Sequence, residues 1–340
     1  SGVWRFREGV MHTDKVITHP EGATRLYERD GLLFKHEGEN PTGSFKDRGM
    51  TVAVTQAVRV GATAIACAST GNTSASLAAY AAQAGLRAIV FVPAGKIASG
   101  KLAQTLAYGA TCLAVRGDFD AAMQLVHEAC DRLGIYLVNS INPFRIEGQK
   151  TIIWELLQDL GWDPPDWIVV PAGNLGNTSA FGKALREAFD QGWISRMPRL
   201  ASIQAHGANP FFLSYREQFA HRHRVTAETI ATAIRIGAPV SYDKAVTAIR
   251  DTNGVVEEVT DDEIMTAKRT IDGMGIGCEP ASAATLAGVR KLIASGVMRT
   301  DERIACILTG NILKDPEANY RPENVIEIEP SIEAVERAVS

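Results

Sequence analysis

The sequence predicts an α/β protein of two open, twisted domains with mainly parallel sheets, and three observations lead there. The chain has 340 residues, which suits roughly two domains of about 100–200 residues each. From Ala64 onward, short β-branched apolar runs alternate with longer alanine- and leucine-rich amphipathic segments, the pattern of βαβ units around a parallel sheet. Gly or Pro closes most of these segments.

The elements follow in order. The first series predicts strand 64–68, helix 72–83, strand 88–92, helix 101–106, strand 112–115, helix 121–133 and strand 135–138. The second opens with a helix over 150–160, where Ile152, Ile153, Leu156 and Leu157 recur at helical spacing and Gly161-Trp162-Asp163-Pro164-Pro165 stops it. Strand 167–170 leads into Gly173-Asn174-Leu175-Gly176-Asn177 and a further helix, and strands 200–204, 255–259 and 304–308 follow. The expected division is a smaller domain at about 50–140 and a larger one made of 1–49 with 141–340.

Composition removes several classes of function. With 35 Lys and Arg against 39 Asp and Glu, the formal net charge is −4, so nucleic acid is not an expected partner: the excess of cations that displaces phosphate counterions is missing. The run Ala88-Ile89-Val90-Phe91-Val92 falls far short of the roughly 18 residues of a membrane span, and the first residues show no apolar signal core. Five cysteines without a CxxC pair read as small reduced core residues of a cytoplasmic protein.

Three stretches can bear chemistry. Pro41-Thr42-Gly43-Ser44-Phe45-Lys46-Asp47-Arg48-Gly49 places Lys46 at a turn-to-helix junction. A lysine there can face a pocket, where burial lowers its pKa and frees the amine to attack an aldehyde; one end of a surface ion network with Asp47 and Arg48 is the alternative. Ser69-Thr70-Gly71-Asn72-Thr73-Ser74-Ala75-Ser76 follows a strand and opens a helix. One hydroxyl would suffice as an N-cap, and the excess suits a carboxylate or phosphate at the positive helix end. Gly173-Asn174-Leu175-Gly176-Asn177-Thr178, at another strand end, is either a tight βα turn or a loop whose amides close on phosphate oxygens.

Two further patterns are weaker. Gly95-Lys96-Ile97-Ala98-Ser99-Gly100-Lys101-Leu102 nearly spells a P-loop, but Leu102 stands where a hydroxyl would hold Mg²⁺, so a P-loop-like nucleotide-binding regulator is the remote alternative. His221-Arg222-His223 lies among arginines that disfavour a metal cation.

These motifs, with Leu308-Thr309-Gly310-Asn311, resemble in order and spacing the pyridoxal-phosphate enzymes of the tryptophan synthase β fold, fold type II, over roughly residues 30–315. Within that family the Thr42–Met50 wording, Asn139-Ser140-Ile141-Asn142-Pro143-Phe144-Arg145-Ile146-Glu147-Gly148-Gln149-Lys150 and Ala233-Ile234-Arg235-Ile236-Gly237 are most similar to the short microbial threonine synthases. The resemblance implies a cytoplasmic homodimer with its cofactor, pyridoxal 5'-phosphate, in a cleft between the domains. It also implies a lyase reaction of O-phospho-L-homoserine with water to L-threonine and phosphate, by γ-elimination and then β-addition of water.

Site roles follow from the same resemblance. Lys46 would hold the cofactor as a Schiff base and then move protons. Asn72 would bond the phenolic oxygen, the amides of Gly173, Asn174, Leu175, Gly176 and Asn177 the cofactor phosphate, and Thr309 the pyridine nitrogen. Ser69, Thr70, Gly71 and Thr73 would take the substrate carboxylate. A second phosphate needs its own cation, and the planar fork of Arg145 suits it, helped by Ser140, Asn174 and Lys96. A threonine or serine dehydratase, which needs no site for a substrate phosphate, is the alternative within the family.

Overall fold

The computed structural model describes residues 2–94, 99–117, 119–319 and 325–339. In chain order, α1 (Arg7–Val10) precedes β1 (Leu26–Arg29), β2 (Leu32–His36), α2 (Lys46–Arg59), β3 (Ala64–Ala68), α3 (Asn72–Ala84), β4 (Arg87–Pro93), α4 (Ser99–Ala107), β5 (Thr111–Val115), α5 (Phe119–Leu133) and β6 (Tyr136–Leu137). There follow α6 (Pro143–Gln149), α7 (Thr151–Asp159), β7 (Trp167–Pro171), α8 (Gly176–Asp190), β8 (Arg199–Ala205), α9 (Pro210–Arg216), α10 (Tyr242–Asp251), β9 (Val255–Val259), α11 (Asp261–Gly273), α12 (Pro280–Ala294), β10 (Ile304–Leu308) and α13 (Ile332–Val339).

Two sheets organise these elements. A four-stranded sheet runs β5-β4-β3-β6, parallel throughout. A six-stranded sheet runs β1-β2-β10-β7-β8-β9 and is parallel except for the β1–β2 hairpin. That hairpin lies upstream of the predicted series and turns at Asp30-Gly31, both with positive φ, as tight hairpin turns require. Strand residues alternate between two cores across the larger sheet: Ile168 and Val170 pack on one face, Trp167 and Val169 on the other. No helix among the described residues is long and apolar enough to cross a membrane. The five cysteines are free, and all but half-buried Cys112 are buried.

The predicted helix at 150–160 becomes α7, and its four spaced apolar residues are fully buried. Ahead of it stands α6, where the sequence suggests only a motif: the Asn142 side chain accepts the Phe144 amide and Pro143 occupies the first turn. Helix α6 lies hard against α2, since a Cβ on Gly148 would collide with the Arg48 carbonyl. Arg145 lies on α6 and Lys46 begins α2, so this contact brings their two helices together.

Arg48, fully buried on α2, anchors that arrangement. Its Nε donates to Glu37 at 2.6 Å and its Nη2 to Glu155 at 2.8 Å, while buried Lys35 also meets Glu155 at 2.8 Å. Burial disfavours the charged Glu155, yet Arg48 and Lys35 outweigh it and hold the carboxyl below the usual range. A carboxylate whose folded pKa is depressed stabilises above its unfolded value and loses that contribution as pH falls. Glu155→Gln is therefore expected to lower the unfolding free energy near pH 7 by about 3 kcal/mol, since Arg48 and Lys35 are left under-compensated. Urea unfolding checks it, and the deficit should shrink as pH drops below 4.5, the ordinary glutamate value.

Candidate active site

Lys46 begins α2 after a turn held by its neighbour. Asp47 accepts the Thr42 amide at 2.7 Å, the Thr42 hydroxyl at 2.6 Å and the Ser76 hydroxyl at 2.6 Å. The turn is stitched to the end of β10 by the Phe45 amide, which donates to the Thr309 carbonyl at 3.0 Å, and by a bridge between Ser44 and Gly310. Lys46 therefore lies beside Thr309. Asp47 and Arg48, the neighbours that suggested a surface ion network, are engaged elsewhere, and no described carboxylate lies within ion-pair distance of Lys46. Its amine sits 4.2 Å from the centroid of the Phe45 ring. The side chain stays partly accessible, as a nucleophile must, but burial and then the Arg145 charge push its pKa down to about 7, with Glu279 opposing.

The carboxyl end of β3 supplies the second part. Residues Ser69–Thr73 are half-buried, and Gly71 stands at the cap of α3, which therefore has no side-chain cap. Ser69 accepts the Gly71 amide at 3.2 Å and Ser74 donates back to the Gly71 carbonyl at 2.8 Å, so Thr70 and Thr73 are not spent on capping. Asn72 donates to Glu279 at 2.9 Å. Asn139 accepts the Ala68 amide at 3.0 Å, which brings the segment with Ser140 to the same edge.

Beyond β7, Leu175 adopts a left-handed conformation (φ 64°) immediately before α8. For a buried leucine that conformation is strained, and it forms a concave run of amides at a helix start. Among the described residues no acceptor takes the amides of Gly173, Asn174, Leu175, Gly176 or Asn177. The buried Asn177 Oδ1 and Gln149 Oε1 are also unpartnered, and Gln149 Oε1 lies 3.4 Å from where a Cβ of Gly176 would sit.

Arg145 is 1% exposed. Among the described residues its guanidinium makes one hydrogen bond, Nη1 to the Val138 carbonyl at 3.3 Å, and its Nε is unpartnered. Burial pushes its pKa down to about 10. Glu147, which could have held it on the surface, pairs with Lys150 and Lys183 instead. Thr309, 4% exposed at the end of β10, donates to Glu279 at 3.2 Å and lies 3.0 Å from the Ser282 hydroxyl. Lys96 lies outside the described residues.

The sequence reading missed Glu279, Ser282 and the orphaned amide of Gln149. Glu279-Pro280 reads as an ordinary helix start, with Pro in the first turn; only the fold shows the carboxyl to be buried.

A lysine amine of lowered pKa at the start of α2, an unclaimed amide loop after β7 and a neutral hydroxyl after β10 fit a small phosphorylated aldehyde. The family described as pyridoxal-phosphate dependent enzyme matches residues 17–310. The chain belongs to this family. Two relatives are threonine synthases: that of Methanosarcina acetivorans is 46% identical, over 99% of this chain and 86% of its own, and that of Methanocaldococcus jannaschii is 47% identical, over 99% and 86%. Maize serine racemase shares the fold, with a TM-score of 0.74 at 22% identity, over 85% of this chain and 88% of its own. As a member of the pyridoxal-phosphate enzymes, the chain has the fold type II architecture predicted from its motifs, and its cofactor is pyridoxal phosphate.

Proposed function

We propose that the chain is a threonine synthase that converts O-phospho-L-homoserine and water to L-threonine and phosphate. The observation that supports it most directly is Arg145, a buried guanidinium on the helix packed against that of Lys46, with no carboxylate partner among the described residues. A buried cation of this kind wants an anion, and the substrate's phosphate supplies one with the geometry of its fork. Ser140 and Asn174 add neutral donors, and Lys96 a second cation.

The bound cofactor draws electrons from the substrate's α carbon and so loosens the protons on it and on the carbon beyond. The rest is done by the chain. The Gly173–Asn177 amides would hold the cofactor phosphate, Asn72 its phenolic oxygen and Thr309 its pyridine nitrogen. The half-buried Ser69, Thr70, Gly71 and Thr73 hold the substrate carboxylate at the start of α3. Lys46 would hold the cofactor at its aldehyde, and its amine would move protons among the α, β and γ carbons of the substrate. An amine near pKa 7 both takes and returns protons at neutral pH. Arg145 keeps the phosphate oriented until it leaves the γ carbon, and water then supplies the hydroxyl at the β carbon.

The cleft lies between a unit at about 50–140 and the rest of the chain, and the enzyme works in the cytoplasm as a homodimer; sedimentation of the holoenzyme reads the latter. The deciding experiment is to incubate the holoenzyme with O-phosphohomoserine and assay both products. Equal amounts of threonine and phosphate are expected, whereas no phosphate release, with serine or threonine deaminated instead, would make it a dehydratase.

Thr309→Ala is expected to change the cofactor's absorption spectrum more than its affinity, because the amide loop and Lys46 supply most of the anchoring. Titration of cofactor-free protein with pyridoxal phosphate, followed by absorption, checks both. An unchanged spectrum with unchanged turnover would reduce Thr309 to a strand-end hydrogen bond.

A further inference from the structure

Glu279 is the buried acid at this site that the mechanism leaves unused. It is 3% exposed at the cap of α12, and among the described residues no lysine or arginine lies within ion-pair distance of it. Its two oxygens are divided: Oε2 accepts the Asn72 amide of α3 at 2.9 Å, and Oε1 accepts the Thr309 hydroxyl at 3.2 Å. Asn72 follows a strand of the four-stranded sheet, and Thr309 follows a strand of the six-stranded one.

The surroundings hold the carboxyl there. The Glu279 amide donates to the Gly310 carbonyl at 3.1 Å, and a Cβ on Gly310 would run into the carboxyl group, so a side chain at that position would expel it. Ser282, one turn along α12, accepts the Gly310 amide at 3.0 Å and stands 3.0 Å from the Thr309 hydroxyl. Burial shifts the acid upward, reinforced by Asp315, while Asn72, Thr309 and Lys314 pull the other way. A buried carboxyl without a cation is costly for stability alone, which argues for a role at the site.

We infer that Glu279 is a positioning residue for the reaction, whose carboxyl ties Asn72 and Thr309 into one unit across the two sheets and sets the direction in which the Thr309 hydroxyl proton points. While Thr309 donates to Glu279, its lone pairs face the cleft; a proton moved onto Glu279, or an amide in its place, reverses that bond and frees the Thr309 proton for an acceptor in the cleft. The inference rests on Asn72 and Thr309 being the cofactor's contacts, so its test includes variants of both.

The experiment is titration of cofactor-free Glu279→Ala, Glu279→Gln, Asn72→Ala and Thr309→Ala proteins with pyridoxal phosphate, reading affinity and absorption, with thermal unfolding as a check on folding. Glu279→Ala should weaken binding about tenfold or more and shift the spectrum, and adding Asn72→Ala to it should cost little more, because the two act as a unit. Glu279→Gln keeps both contacts but reverses the one to Thr309, so affinity should stay near the unmodified protein's and the thermal midpoint at or above it, while the spectrum moves. A merely structural Glu279 would not produce that split, and Glu279→Gln also serves if the alanine variant does not fold. If Asn72→Ala and Thr309→Ala move the spectrum while Glu279→Gln leaves it unchanged, this inference alone is overturned; if none of the variants moves it, the assignment of Asn72 and Thr309 to the cofactor falls with it.

Discussion

Replacing Lys46 with alanine is expected to cut threonine formation roughly 10³-fold or more, because on the proposed assignment one amine both fixes the cofactor and moves the protons. Borohydride reduction of the holoenzyme followed by peptide mapping tests the assignment separately from activity: the label should fall on Lys46, and a label on any other lysine removes it. The pH dependence has a definite sign. Burial and the nearby Arg145 charge hold the amine near 7 rather than 10.5, with Glu279 opposing, and only the neutral amine attacks an aldehyde. Uptake of cofactor by the cofactor-free protein should therefore rise about tenfold per pH unit below 7 and flatten above it, where an ordinary lysine would go on rising. The same shift links to folding. Between about 7 and 10.5 the unfolded state binds more protons at this residue, so its contribution to the stability of the cofactor-free protein grows with pH across that window.

The parallel strands and the loops at their ends were legible because β-branched runs, glycines and hydroxyl clusters are local signals. Strands 64–68, 255–259 and 304–308 coincide with β3, β9 and β10. Where reading failed, charge was the reason. The β1–β2 hairpin has a plain Asp30-Gly31 turn, but Lys35 and Glu37, at and just after its second strand, look like surface residues. They are fully buried because Arg48 and Glu155 complete their network from α2 and α7. Glu279 is the same case at the site: an acid before a proline reads as an exposed cap, and its burial depends on Asn72 and Thr309, 207 and 30 positions away. Arg145 was legible as a residue type suited to phosphate, whereas its lack of a carboxylate partner among the described residues is a fact of the fold.

That lack makes Arg145→Ala the sharpest separation between a threonine synthase and a dehydratase. The guanidinium is 1% exposed, bonded once to a carbonyl, with its Nε unpartnered. Removing it should leave the absorption spectrum of the bound cofactor intact, since on the proposed assignment the cofactor is anchored at Lys46 and the Gly173–Asn177 loop. On O-phosphohomoserine, kcat/KM should fall roughly 100-fold or more, about 3 kcal/mol for a charged contact. Arg145→Lys should recover only part of this, because an ammonium is a point charge where the guanidinium pairs two oxygens. Any slow reaction on serine or threonine, which bear no phosphate, should barely change. Stability gives an independent reading: a buried cation with no carboxylate partner among the described residues gains no ion-pair energy to offset its burial, so Arg145→Ala should unfold at the same urea concentration or a higher one. Equal losses on phosphorylated and unphosphorylated substrates would show that Arg145 shapes the cleft rather than holding a phosphate, and the preference would pass to the dehydratase.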